Sequence, residues 1–312
     1  MTFGRRWSGC AWWCTAMLAW WLCGTAAGQR IGVLKGGDFT AFDAAVAGFR
    51  EGLEEEGKSY KLIEILLDPR NQQKSLSALQ ASGPQLIYAV GNQATLAALG
   101  RQWDIPVLFA LVTAPWQFGI LDGTQRQEAR VSGVVADIPL ETQLDVLRQI
   151  LPSLQKIGLL YSVSTLEQAQ QIQAVLASRN IGMEAQVVRQ TDDVVGVAAG
   201  MAEIDLFWML PDRAIFAAHN RKSLFAHLRG RRIPIFAPTA KFLQGEDGGD
   251  LAIAVDPRAC GRQAAGMAVD ALEGDSWPPA PQVPRTWNVF LKEGRPLRPM
   301  AGAVYVKDRK SV

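Results

Sequence analysis

The stretch Val131–Tyr161, VSGVVADIPLETQLDVLRQILPSLQKIGLLY, decides how this chain is divided. It opens with a short β-branched run (Val134, Val135), turns at Pro139, continues as an amphipathic segment and closes on a second apolar run. Leu140, Leu144, Leu147, Leu151 and Leu154 recur every three or four residues, while Glu141, Asp145, Arg148 and Gln149 fall elsewhere; the spacing predicts a helix with one apolar stripe. Pro152 interrupts the pattern near its end, and Ile157–Tyr161 then reads as a strand buried on both faces. The stretch lies near mid-chain with strand–helix alternation on either side. It reads as the junction between two α/β lobes.

Length agrees with that division, since 312 residues is about twice a typical domain. An apolar share of 48% and a charged share of 20% are globular values and exclude a disordered or repeat architecture. The first 28 residues read differently. Arg5 and Arg6 precede an uncharged run from Trp7 to Cys23, and the small residues Gly24–Gly28 follow, the three-part pattern of a secretory signal peptide. The uncharged run is shorter than the roughly 20 residues a membrane span needs. Trp20-Trp21-Leu22 is a poor approach to a lipidated Cys23, so a cleaved leader and a periplasmic location are the expectation.

Loss of that leader removes Arg5 and Arg6 and leaves 30 basic against 30 acidic side chains. A neutral chain has no electrostatic case for nucleic acid or an anionic membrane. Of four cysteines only Cys260 remains, which rules out an internal disulfide.

In the first half, strands are read at Arg30–Leu34, Leu62–Leu67, Leu86–Val90 and Ile105–Leu111. Helices fall between them, one carrying Phe42, Val46, Phe49 and Leu53, one at Ser75–Leu79 and one at Leu96–Leu99. The second half repeats the alternation, with strands at Met183–Val188, Ile204–Leu210, Ile233–Ala237, Leu251–Val255 and Trp287–Leu291. Helices are expected from Leu166, at Val194–Met201, at Ala217–Leu228 and after Asp256. Strand–helix alternation with tight turns predicts parallel pairing, hence an α/β fold of two doubly wound sheets.

Ligands of such sheets sit at the carboxyl ends of the strands. That rule nominates Lys35 and Asp38 after the first strand, Gly91, Asn92, Gln93 and Ala94 after the third, and Thr113 after the fourth. Backbone N–H groups at Gly91–Ala94 open a helix and can hold a carboxylate or phosphate without a charged side chain. The plainer alternative is that Gly91 supplies a turn and Asn92 a cap. In the second half the same rule nominates Ser162, Ser164, Thr165, Asp212 and Thr239, with capping again the plainer reading of the Ser162–Thr165 group. Asp137 and Asp256 stand where acidic side chains can approach a shared cleft. Phe39, Phe42, Trp116 and Trp208 are candidates to stack on a ligand, or else core.

No catalytic or metal constellation is recognisable. His219 and His227 lie eight apart on one expected helix, too far for one ion, and Cys260 has no histidine near it in sequence. Nucleophile-elbow, phosphate-loop and dinucleotide motifs are missing, and Gly245–Asp250 lacks the alternating acidic spacing of a calcium loop. No cofactor or metal is expected, and a binding protein is favoured over an enzyme.

The segments GFREGLE (48–54), YAVGNQA (88–94), IPVLFA (105–110) and LETQLDVLRQILP (140–152) occur in one order and spacing with KIGLLY (156–161), LPD (210–212), IPIFAP (233–238) and GRQAAGMA (261–268). In this the chain resembles the ABC transporter substrate-binding proteins that include tryptophan- and phenylalanine-binding members. The resemblance implies a type I periplasmic-binding-protein fold, in which two doubly wound parallel-sheet lobes are joined by a three-crossover hinge. Crossovers are implied near Val135–Asp137, Gln244–Val255 and Val283–Thr286. Lobe 1 is then 29–135 plus 256–282, lobe 2 is 136–255 plus 283–306, and 307–312 is a tail. A monomer that captures a small, possibly amino-acid-like solute and delivers it to an inner-membrane ABC permease is implied, with Gly91–Ala94 and Thr113 facing Ser162–Thr165, Asp212 and Thr239 across the cleft. A sensory or interaction module with the same fold and no transport role is the alternative.

Overall fold

The computed structural model describes residues 29–115, 119–120, 130–189, 193–245, 248–274, 277 and 280–307. The expected leader, Trp116 and all but the first residue of the expected tail lie outside them.

Five strands form the first sheet: β1 (Arg30–Lys35), β2 (Lys61–Leu66), β3 (Leu86–Val90), β4 (Val107–Val112) and β5 (Val131–Val135), in the order β2-β1-β3-β4-β5 and all parallel. Helices α1 (Thr40–Glu55), α2 (Gln72–Ala81) and α3 (Asn92–Leu99) connect β1 through β4. Burial explains the strand sequences: β3, β4 and β5 are buried along their whole length, whereas β2, at the edge, has no buried residue.

The quoted stretch crosses to the second sheet. Its helix, α4 (Leu140–Ile150), buries Leu144, Leu147 and Ile150, and the apolar stripe runs on as Leu154 in the following turn. The helix ends earlier than its leucine spacing predicts, because Pro152 pushes Leu151 out of helical backbone (φ −125°, ψ 79°).

The second sheet contains β6 (Lys156–Tyr161), β7 (Gly182–Val187), β8 (Leu206–Trp208), β9 (Ile235–Ala237), β10 (Leu251–Val255), β11 (Trp287–Lys292) and β12 (Val304–Val306). Its order is β12-β11-β10-β9-β8-β6-β7. The run β7-β6-β8-β9-β10 is parallel and repeats the order of the first sheet, so one topology occurs twice. Helices α5 (Leu166–Ser178), α6 (Val194–Ala199) and α7 (Ala218–Gly230) connect it. The expectation of a purely parallel sheet is corrected at one edge, where β11 runs antiparallel to β10 and carries β12, a strand too short to show in the sequence pattern.

β10 is a full member of the second sheet, so the chain leaves it only at Asp256. It then enters α8 (Pro257–Glu273), which packs along α1. Small residues allow this contact: a Cβ on Gly48 would fall on the Arg258 carbonyl, and one on Gly261 on the Ala45 carbonyl. The chain passes along β5 once more through a bridge between Val134 and Gln282 before entering β11. Each sheet is covered on both faces by a separate apolar cluster, around Phe49, Tyr88 and Ala264, Leu79 and Phe109, Leu147 and Leu159, or Phe207 and Phe225.

Candidate functional site

The chain leaves the first sheet at the carboxyl end of β5 and the second at the carboxyl end of β10, so both carboxyl edges lie at the junction of the two sheets. In each sheet the strand order reverses there, between β1 and β3 and between β6 and β8. Loops and helix N-termini at such a point frame a crevice.

The first edge is made largely of backbone. After β1 the Gly36 N–H donates to the Val90 carbonyl at 3.0 Å, drawing the two loops together. Gly91 precedes α3 at φ 87°, ψ 161°, a conformation for glycine alone, and a Cβ there would enter the Phe42 ring. Glycine offers no side chain, so none caps the first N–H groups of α3. The helix starts at Asn92, four residues before the expected Leu96, which puts Asn92, Gln93 and Ala94 in its first turn. Gln93 is exposed and Ala94 fully buried.

Asn92 holds the neighbouring loop. Its Nδ2 donates to the Thr113 carbonyl at 2.9 Å and its Oδ1 accepts the Thr113 N–H at 3.0 Å, so one amide side chain pairs with a peptide 21 residues away. Thr113 is exposed, and the next residue, Ala114, gives its N–H to Asp137 Oδ2 at 2.7 Å. Burial raises the Asp137 carboxyl above its ordinary value, with the Ala114 N–H acting in the opposite direction.

The second edge is made of side chains. Asp212 is 3% exposed and accepts five hydrogen bonds. Oδ2 takes the hydroxyls of Ser162 (2.5 Å), Ser164 (3.1 Å) and Thr165 (3.1 Å), and Oδ1 takes the N–H groups of Ala214 (2.9 Å) and Ile215 (3.1 Å). Ser162 also accepts the Ser164 N–H, and Thr165 Oγ1 accepts the Ser162 N–H, closing a capping box on the turn Val163–Thr165. Burial alone would raise the Asp212 carboxyl. The Ser162 hydroxyl, the Ile215 N–H and the Thr165 and Ser164 hydroxyls outweigh it and hold the group below its ordinary value.

Several of the residues nominated by sequence have protein partners of their own. The Lys35 Nζ donates to Asp43 at 2.7 Å and lies 4.0 Å from Glu64, and the hydrogen bond to Asp43 raises its pKa. Asp256 caps α8, accepting the Arg258 and Ala259 N–H groups at 2.9 and 3.2 Å. Asp212 is the anchor of its own loop. Asp38 is exposed in the turn before α1, and Thr239 is exposed at the head of a short helical turn (Ala240–Leu243) with no side-chain cap bond.

Among the aromatic candidates, Trp208 is core, 4.9 Å edge-on to Phe236. Phe42 backs Gly91, while Phe39, edge-on to Phe42 at 5.2 Å, is 60% exposed. The sequence reading missed Val163, 89% exposed between Ser162 and Ser164 on the other edge. An apolar residue inside a hydroxyl-rich turn was the available signal. A cavity of about 120 Å³ lies at the other end of the second sheet, lined by Arg229, Arg232, Asp250 and Arg295 among others, and is remote from both edges.

The model of a family described as ABC transporter substrate binding protein matches residues 30–284. A tyrosine-binding protein of Clostridioides difficile (strain R20291) is 24% identical over 266 residues, covering 80% of this chain and 74% of that protein. A ligand-free, open structure of a substrate-binding protein with adhesive properties from Clostridium difficile superposes with a TM-score of 0.75 at 20% identity, covering 90% of this chain and all of that one. An ABC domain from Streptococcus pneumonia in complex with L-Trp gives a TM-score of 0.56 at 22% identity, covering 85% of this chain and 92% of that one. The matching family is one of substrate-binding proteins.

Proposed function

The chain belongs to the ABC transporter substrate-binding protein family, and from that premise we propose that it is an exported receptor for an amino-acid-like solute with an aromatic or other apolar side chain. It holds the solute between the two carboxyl edges and presents the closed form to an inner-membrane ABC permease. One observation carries this reading: the first turn of α3 behind Gly91 has no side-chain cap, and an exposed apolar residue stands at each carboxyl edge, Phe39 after β1 and Val163 after β6. Backbone donors at a helix N-terminus suit a carboxylate, and apolar residues on opposite edges suit a flat apolar side chain. The tyrosine-binding relative supports the amino-acid class. Solute that touches both edges binds the closed arrangement better than the open one, which is what shifts the population toward closure.

The experiment is a thermal-shift and calorimetric screen of L-tyrosine, L-tryptophan, L-phenylalanine and, as controls, glycine and D-ribose. Aromatic amino acids should stabilise the fold, by about 2.7 kcal/mol at 100 times Kd, and the effect should disappear in Gly91→Val. Stabilisation by ribose alone, or by none of the five, overturns the assignment of solute class.

A further inference from the structure

The ladder between β4 and β5 breaks at its carboxyl end. Its register slips between Ala110 and Val112, and Leu111 and Ala114 take left-handed backbone, with φ of 54° and 45°. Such backbone persists in residues with a Cβ only where the surroundings impose it. Among the described residues, three braces reach this segment from outside β4. Asn92 pairs with the Thr113 peptide, Ala136 gives its N–H to the Val112 carbonyl at 2.7 Å, and Asp137 accepts the Ala114 N–H at 2.7 Å. Two of the three come from residues 136 and 137, which belong to the first connection between the sheets. That connection is therefore hydrogen-bonded to the loop that carries Thr113 at the crevice.

The third connection is tied differently. Gln263 of α8 donates to Gln282 Oε1 and the Val283 carbonyl, each at 3.0 Å, and accepts the Arg285 N–H at 3.0 Å. None of those partners is a crevice loop. Loosening Gln263 frees a connection alone, whereas loosening Asp137 disturbs a connection and a crevice loop together.

We propose that Asp137 is a positioning residue: through the Ala114 N–H it couples the Thr113 loop to the first connection, so that the crevice edge and the relative setting of the two sheets change together. The proposal rests on the crevice being the solute site, but it is read without solute. A failed amino-acid screen therefore counts against the solute class and leaves this coupling to be judged separately.

Hydrogen–deuterium exchange on the solute-free protein tests it, followed in the segments 111–115 and 136–138. Asp137→Ala should speed exchange of 111–115 by at least tenfold, and Asp137→Asn, which keeps an acceptor oxygen, should restore most of the protection. Coupling is reciprocal, so Asn92→Ala, which loosens the loop from its other side, should speed exchange at 136–138 by severalfold. That second effect should vanish in the Asp137→Ala background. If Asn92→Ala leaves 136–138 unchanged, or acts equally with and without Asp137, the coupling does not exist and Asp137 only anchors its loop. Should Asp137→Ala fail to fold, the same comparison is made between Asn92→Ala alone and in the Asp137→Asn background, where the restored acceptor predicts that the effect of Asn92→Ala persists. Its disappearance there would overturn the proposal.

Discussion

The first sheet and the five parallel strands of the second share one strand order, and the two prepare their carboxyl edges by opposite means. The first edge relies on glycine and on peptide groups: Gly36 and Gly91 let backbone approach backbone, and the N-terminus of α3 is left without a cap. The second relies on side chains, with three hydroxyls and two N–H groups converging on one buried carboxylate, Asp212. An edge of bare backbone donors has capacity left for an anionic group. An edge whose hydroxyls already donate inward is rigid before any solute arrives, and offers chiefly lone pairs and the apolar Val163. On the proposed function, this difference would make the first edge the one that captures solute and the second a preformed wall.

The hardest break of that contrast is Asp212→Ala. It leaves five donors without their charged acceptor, those of Thr165 and Ile215 on buried residues, and unfolding in urea should show a loss of about 3–4 kcal/mol, more than the roughly 1.5–3 kcal/mol of a single hydrogen bond to a charged group. Acid supplies a milder version. A carboxylate whose pKa in the folded protein lies below its unfolded value near 3.9 contributes stability above that value and loses it as pH falls through the folded one. The wild-type urea midpoint should therefore drop below about pH 4 more steeply than that of Asp212→Asn. Equal slopes would mean that Asp212 does not hold this edge as a carboxylate. Asp137 and Asp250, both raised by burial, contribute with the opposite sign, so the difference between variant and wild type is the quantity to compare.

Gly91→Val breaks the first edge. A β-branched residue cannot adopt φ 87°, ψ 161° without strain, and its Cβ would displace Phe42. Stability should fall by about 3 kcal/mol, most of it from backbone strain of 1–3 kcal/mol with a clash added. If Gly91→Val folds with wild-type stability, the backbone at this edge is not as constrained as the contrast requires.

How much of this was legible beforehand depends on the range of the interaction. β3 and β10 are read to the residue because each is an apolar run bounded by turn residues, Pro84 and Gly91 for one, Gly249 and Pro257 for the other. The positions around both edges were nominated by a topological rule that needs only strand order. What the pattern does not carry is pairing at a distance. Nothing in Asn92 announces a peptide partner 21 residues on, nor in Ser162 a carboxylate 50 residues on. Those side chains are therefore legible in sequence only as solute contacts or as local caps, and their pairing with Thr113 and Asp212 is not. The direction of β11 was hidden for a similar reason: the proline-rich stretch before it sets an extended chain but no hand of return.

Asn92→Ala tests whether that unseen pairing matters to the first edge. Two hydrogen bonds to the Thr113 backbone and a longer one from its hydroxyl (3.4 Å) are lost, and about 1.5 kcal/mol of stability should go with them. Asn92→Asp, which keeps the acceptor for the Thr113 N–H but not the donor, should fall between Ala and wild type. If both variants match wild type in urea, the loop around Thr113 is held by its own backbone and by residues 136 and 137.

Ser164→Ala is the smallest change and separates the two edges most finely. Ser164 is exposed, and its hydroxyl is one of three on Asp212 Oδ2. Because Ser162 and Thr165 still serve that oxygen, the loss of stability should stay within about 1 kcal/mol. Solute affinity provides the second reading of the same substitution. If the second edge is only a preformed wall, calorimetry with the best-binding amino acid should show Kd changing by less than about threefold, in line with a small structural loss. If Kd rises tenfold or more while urea unfolding is barely altered, the Ser164 hydroxyl contacts solute, and capture is shared between the edges.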